Sequence, residues 1–487
     1  MIDENVKIHD KFSVEIKLGY GTKRSRKIND YSINTWFFVP YSLDINRHTY
    51  KEDDFYSDLK TNIRLTTPVY LLREIAEGAE SPFHLLESSF KKLSVKPIRT
   101  NKEEYEYQIK MFHSILKSSL RNEIKHIIEN LIEEDKQFLI SSYVIHSIII
   151  LDRYRKLRRI INTPTVNSEF MNYYLLSDEF MSNLIEQNTY NLLYYLKKKF
   201  KNDFELNKSK LTDLIRGEIA YKEEAGYPHA KKTSSDHNRE VVYRWGVLKK
   251  YFESQLFLES RKRKDGVIIE QLLYSLAAGI SMIFATTIAF SFQSKFGNFT
   301  MPLFIALVIS YMLKDRIKEL TRYYLGGKLG KRLFDHKNTI RVKDCPKIGW
   351  CKESFDFVKE EIIPKRVSKL RNRSQIMEFE NRGANEKIIL YRKLIRINRK
   401  RLNQNYKHYE INGINDIIRF NISRFVKNMD NPKVPVHILT DSTFENIKGD
   451  KFYYMNLIMK FKYDDISNYH RYRIVFNRDG IRKVEKL

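Results

Sequence analysis

The sequence predicts an α-helical integral membrane protein: a two-span hairpin, mixed α+β cytoplasmic regions on both sides of it, and a small antiparallel β-sheet at the C-terminus. Three observations predict it. Two charge-free runs, Gln271–Ser294 and Phe296–Leu313, stand side by side in an otherwise polar chain. Basic residues flank the pair and are sparse between its members. Near the C-terminus apolar and polar residues alternate strictly, the period of a half-buried strand. An 18-residue helix reaches about 27 Å, close to the ~30 Å hydrocarbon core of a bilayer.

Composition narrows the class further. The chain has 487 residues, with 87 Lys and Arg against 60 Asp and Glu, a net charge of +27. A mean hydropathy of −0.50 excludes a polytopic transporter, whose chain would be apolar over most of its length. The 42% of hydrophobic and 13% of aromatic residues exclude a disordered polyelectrolyte. Two cysteines are too few for a disulfide framework or a four-cysteine zinc module. The first twenty residues carry Asp3, Glu4, Asp10 and Glu15 and no apolar run, so no signal peptide is expected.

Residues 1–100 read as an α+β cytoplasmic part. Phe12, Val14, Ile16 and Leu18 alternate with Glu15 and Lys17 as a strand; Ile33–Pro40 is a second strand. A helix starts near Asp53, and Thr67-Pro68 is a break. Residues 101–266 are mainly helical, with apolar residues at threes and fours. Within them Phe138–Leu151 is uncharged but too short to span, so a core helix is expected. Gly226–Asn238 reads as a polar loop.

Residues 267–313 form the expected hairpin, with spans at about 271–293 and 296–313. Arg261, Lys262, Arg263 and Lys264 precede it, Lys314, Arg316, Lys318 and Arg322 follow it, and the turn holds Lys295 alone. The positive-inside rule places both termini in the cytoplasm of a bacterial-type inner membrane. Ala277, Ser281, Ala285 and Ala289 form a stripe of small residues, matched by Ala306 and Ser310 in the second run. Such stripes let helices approach closely in lipid, either within one hairpin or between subunits of a homo-oligomer.

Residues 314–430 read as a basic helical part, and the net charge from 314 to the end is +20. The helix continues over Lys314–Leu325 and stops at Gly326-Gly327. Glu386–Leu402 interleaves basic with apolar residues, the pattern of an interfacial segment. Its Arg392, Lys393, Arg396, Arg399, Lys400 and Arg401 are the candidate lipid- or phosphate-binding residues, with anionic inner-leaflet lipids as the expected partner and nucleic acid as the alternative. Ile414–Met429 reads as an amphipathic helix. In residues 431–487, Tyr453–Tyr463 and Tyr472–Phe476 alternate as strands, and Arg478-Asp479-Gly480 supplies a hairpin turn before a last strand.

The chemistry-bearing motifs are few. Gly326–Arg332 has the look of a phosphate loop, but its glycine spacing is one short, Arg332 stands where a Ser or Thr would hold Mg²⁺, and no strand precedes it. Cys345 and Cys351, with His336 nearby, are spaced too widely for structural zinc and read as reduced thiols. Asp10, followed by Glu15 and Lys17 that share one strand face, is the one arrangement reminiscent of a metal-dependent nuclease, although the same alternation describes an ordinary solvated face. No cofactor or resident metal is expected. The expected role is a non-enzymatic membrane sensor, scaffold or regulatory subunit acting through lipid and an unknown protein partner. The alternative is a membrane-associated effector that senses nucleic acid or another signal and acts by membrane disruption or nuclease chemistry.

Overall fold

The computed structural model describes residues 2–487 apart from 131, 165, 233–234, 331–333, 343–345, 376–377, 379–384, 405–407 and 441–442, and apart from the side chains of 325–330. The chain forms two units. The first comprises Met1–Arg64, Leu258–Lys407 and Asn412–Leu487; the second comprises Leu65–Phe257 with His408–Ile411.

Sheets dominate the first unit. Its N-terminal strands are β1 (Ile2–Asp10), β2 (Ser13–Gly21) and β3 (Ile28–Val39), followed by helix α1 (Glu52–Asp58) and β4 (Leu59–Leu65). The second unit is helical throughout: α2 (Leu72–Glu77), α3 (Pro82–Val95), α4 (Arg99–Glu129), α5 (Glu133–Lys156), α6 (Arg158–Ile161), α7 (Ser168–Lys199), α8 (Lys201–Ala225) and α9 (Ser235–Phe252). Along α4 the buried Ile109, Phe112, Leu116, Leu120, Ile124 and Ile127 recur at threes and fours, so one stripe faces the core. The uncharged Phe138–Leu151 lies inside α5, where Ile140, Tyr143, Ile150 and Leu151 are buried.

The chain then returns to the first unit with β5 (Glu259–Lys264), the long helices α10 (Val267–Phe296) and α11 (Met301–Gly330), β6 (His336–Arg341) and β7 (Lys347–Val358). Short helix α12 (Lys365–Arg371), β8 (Lys387–Asn398), α13 (Arg399–Gln404) and β9 (Gly413–Asn421) follow. Last come β10 (Lys433–Leu439), β11 (Phe444–Asp450), β12 (Tyr453–Tyr463), β13 (Ile466–Asn477) and β14 (Gly480–Lys486).

The larger sheet has the order β14-β13-β12-β3-β8-β7-β6-β5, the smaller β1-β2-β9-β4, and β10 pairs with β11. Ladders at β3–β8 and β12–β3 join residues hundreds of positions apart: Trp36 stands opposite Leu390 on one side and Ile458 on the other. One face of the large sheet buries Trp36, Phe38, Ile388 and Ile458 beneath Ile363 and Val367, the latter from α12. The aromatic side chains Phe37, Phe55, Phe355, Tyr391 and Phe420 pack together between the two sheets.

This mixed α/β architecture with large sheets corrects the expected two-span α-helical membrane protein. Among the described residues, α10 alone is long and apolar enough to cross a membrane. The second uncharged run is cut by the turn. Gly297 has φ 74° and Phe299 φ 63°, and α11 begins only at Met301. Helical and uncharged residues therefore run only from Met301 to Leu313, about 20 Å at 1.5 Å per residue. That is well short of a ~30 Å core.

Two further expectations change. The basic segment Glu386–Leu402 is not an interfacial helix but mostly β8, a central strand of the large sheet. Ile414–Met429 is not an amphipathic helix; it begins as β9, paired with β2 from Ser13–Asn421 to Gly21–Gly413. The C-terminal strands form where expected, but as one end of the eight-stranded sheet and not as a separate small sheet; Gly480, at φ 133°, opens β14 opposite Asn477, after the Arg478-Asp479 turn. The Gly326–Arg332 motif, in which side chains or backbone are undescribed from 326 to 332, and Cys345 lie outside the described residues.

Candidate functional site

Three features of the first unit carry unusual chemistry: the apolar hairpin, the sheet face at its root, and a buried ion cluster.

The hairpin is built by α10 and α11, which pack antiparallel. Both are rooted in one sheet, because β5 runs into α10, the chain comes back from α11 into β6, and β5 pairs with β6 with Lys264 opposite His336. The stripe of small residues lines the contact between the helices. Ala277, Ser281, Ala306 and Ser310 are buried, and Ser310 Oγ donates to the Ala285 carbonyl at 3.2 Å. Ala285 and Ala289 are half-buried along the same line. Away from that contact the hairpin is bare: Ile283 is 67% and Phe290 69% exposed, Ile268, Leu272 and Leu276 of α10 are exposed as well, and so are Phe304 and Met312 of α11. A helix apolar on every side finds no stable place in water. At the root, Glu270 accepts hydrogen bonds from Tyr274 and Lys264.

At β5–β8 the large sheet carries cations on the face turned away from the smaller sheet, the same face that at β3 and β12 buries Trp36 and Ile458. Directly opposed residues share a face, so Arg261, Thr339, Trp350 and Arg396 form one row across the four strands. Arg263, Lys337 and Lys352 form the next, with Arg341 and Lys347 on the far side of the first. Lys337, Lys352 and Arg396 each stand 5.2–5.7 Å from the centroid of the Trp350 ring. Lys352 is paired with Asp265 at 2.6 Å, and Arg396 is held by both carboxylate oxygens of Asp30. Lys347 is held below the ordinary ammonium range by partial burial and by the neighbouring charges of Lys337, Arg341 and Arg401.

The third feature is hidden. Lys393 is 1% exposed on the core face of β8, with its ammonium 2.8 Å from Glu353 of β7 and 2.5 Å from Asp416 of β9. The Tyr391 hydroxyl donates to Glu353 at 2.9 Å, and Asn338 donates to its second oxygen. Burial pushes Lys393 down, but Asp416 and Glu353 outweigh it and hold the ammonium well above its usual value. Burial raises Glu353, yet Lys393 wins and leaves it lowered; for Asp416 burial wins and its carboxyl is raised. Cys351, fully buried beside them, has its thiol pushed up by burial. An uncompensated charge here would cost several kcal/mol, which explains why the two acids and the base converge.

The residues singled out in the sequence divide accordingly. Lys393 is sealed in the core and cannot reach a lipid or phosphate. Arg392 donates to Ser354, while Arg396, Lys400 and Arg401 are exposed and Arg399 is half-buried. Asp10 accepts from the Phe12 amide in a tight turn. Glu15 pairs with Lys7 and Arg419, and with His9 when that ring is protonated. Lys17 stands on the same strand face as Glu15, and no group of three or more His, Cys, Asp or Glu side chains able to hold a metal occurs among the described residues.

Sequence reading missed the cluster and the cationic face, although a signal existed. The inward stripes Ile389-Tyr391-Lys393-Ile395-Ile397 and Ile414-Asp416-Ile418-Phe420 are regular strands, each interrupted by one ionisable residue. Comparison with known protein families, curated proteins and solved structures finds no match.

Proposed function

We propose that this chain is a membrane-attached, non-enzymatic interaction protein, a sensor, scaffold or regulatory subunit, whose hairpin is embedded in the bilayer from one side. The observation that supports it is the exposure of the apolar surface of α10 that is turned away from α11, while both ends of the hairpin are fixed to neighbouring strands. Two roots in one sheet require the chain to enter and leave the membrane at the same face. The short uncharged part of α11 makes this an embedded hairpin and not a pair of spans. The folded part of the chain is then held at the membrane surface for contact with a protein partner.

The test is fractionation of the full chain. Wild-type protein is expected to sediment with membranes and resist alkaline extraction. The double variant Ile283→Glu/Phe290→Glu places carboxylates on the lipid-facing surface at a cost of about 3 kcal/mol each. It should move to the soluble fraction with its thermal unfolding otherwise intact. Wild-type protein that is soluble without detergent would sink the proposal.

A further inference from the structure

The cationic sheet face has more positive charge than its own acids answer. Arg396 and Lys352 are paired, with Asp30 and Asp265, but Arg261, Arg263, Lys337, Arg341 and Lys347 have no acidic group within ion-pair distance among the described residues. Glu259, opposite Arg341, is a further carboxylate of that face, and it forms no ion pair there among the described residues. Arg401, from α13, joins the group by donating to the Lys347 carbonyl at 3.1 Å. Like charges gathered on a rigid surface repel one another, a standing cost that an anionic partner removes. Trp350, half-buried at the centre, adds an amphipathic ring of the kind that settles at the level of lipid headgroups.

The position of this face identifies the partner. Arg263 and Lys337 are one residue from the paired root of the hairpin, Lys264 and His336. Strands β5 and β6 thus bear the cations and carry the apolar helices. We propose that the face formed by Arg261, Arg263, Lys337, Arg341 and Lys347 around Trp350 docks on anionic phospholipid headgroups of the membrane that holds the hairpin. The proposal rests on the hairpin being embedded and adds which lipids the protein selects. Each cation brought to an anionic surface contributes on the order of a fivefold gain in affinity. The preference must weaken with salt, because exposed charges are screened over about 10 Å at 0.1 M.

Full-length protein is titrated with vesicles of phosphatidylcholine alone and with vesicles that also contain phosphatidylglycerol. Binding to the neutral vesicles reports the hairpin, and the additional affinity for the anionic ones reports the face. The triple variant Lys337→Gln/Arg341→Gln/Lys347→Gln should lose roughly a hundredfold of that preference and keep its binding to neutral vesicles. Because β6 and β7 lie inside the sheet, a second variant on exposed β5, Arg261→Gln/Arg263→Gln, guards against misfolding; it should lose about thirtyfold. An unchanged preference in the β5 variant and in a folded triple variant overturns the inference. So does tight, steeply salt-dependent binding of an oligonucleotide through these residues without preference for anionic vesicles. Anionic preference without any binding to neutral vesicles would keep the inference and reject the embedded hairpin.

Discussion

His113 shows at the scale of one residue how burial becomes pH dependence. It lies fully buried on α4 among Phe112, Tyr154, Phe180 and Phe252, with Nε2 2.5 Å from Ser177 Oγ. Burial pushes its pKa from 6.5 down to about 3. Unfolded, the ring takes up a proton near pH 6.5, while folded it stays neutral. Below 6.5 the unfolded chain therefore binds the extra proton, and stability falls as pH drops toward 3. At about 1.4 kcal/mol per pH unit, His113 accounts for roughly 2–3 kcal/mol lost between pH 6.5 and 4.5. Urea unfolding of the wild type and of His113→Gln at both pH values measures this. The variant should lose less stability over the interval, and an equal loss would show that His113 does not set the slope. The Lys393 cluster teaches a complementary lesson. A lysine in a basic run reads as surface, and Arg392 and Arg396 on either side of it do face outward. Lys393 alone turns in, because strand alternation gives it the core face and two acids from other strands receive it.

At the scale of elements, the hairpin was legible as two apolar helices but its proportions were not. Uncharged composition does not mark where a helix ends. The left-handed backbone at Gly297 and Phe299 does, and it shifts the turn into the second run. The small stripe has a defined use, since Ala277 and Ser281 of α10 are buried in the hairpin that also buries Ala306 and Ser310 of α11. Ala277→Leu should overpack that contact by about 1–3 kcal/mol. Hydrogen–deuterium exchange over residues 270–313 should then accelerate, while the exposed Ile283→Leu leaves it unchanged. If Ala277→Leu exchanges like wild type, the stripe does not hold the hairpin together. Strands β8 and β9 were misread for one physical reason. Their inward stripes each contain a charge, and a charge in an apolar run breaks the pattern on which alternation is recognised.

At the scale of the whole molecule, the first unit is assembled from three separated stretches of chain. Its large sheet places β12, from near the C-terminus, directly against β3, from near the N-terminus. The ends are also tied: Glu4 of β1 accepts from Lys486 of β14 at 2.8 Å and from Tyr472 of β13 at 3.2 Å. Ending the chain at Lys451 removes β12–β14, leaves the β3 edge unpaired and uncovers Trp36 and Phe37, both nearly fully buried. Exposed apolar edges of this kind aggregate. The truncated protein should therefore be insoluble; a soluble product with cooperative unfolding would show that β3 and β8 form a sheet without β12.

By itself the sequence determined the features that depend on neighbours a few residues apart. The helical repeat of residues 101–252, the alternation of Tyr453–Tyr463, the Arg478-Asp479 turn before Gly480 and the apolar character of the hairpin are all local features. Only the tertiary structure decided that Glu353, Lys393 and Asp416 meet, that cations of β5–β8 share one face, and that the hairpin grows from adjacent strands. Charges so far apart in sequence compensate one another only when their strands pair, and the free energy that makes a buried lysine tolerable exists in no single segment.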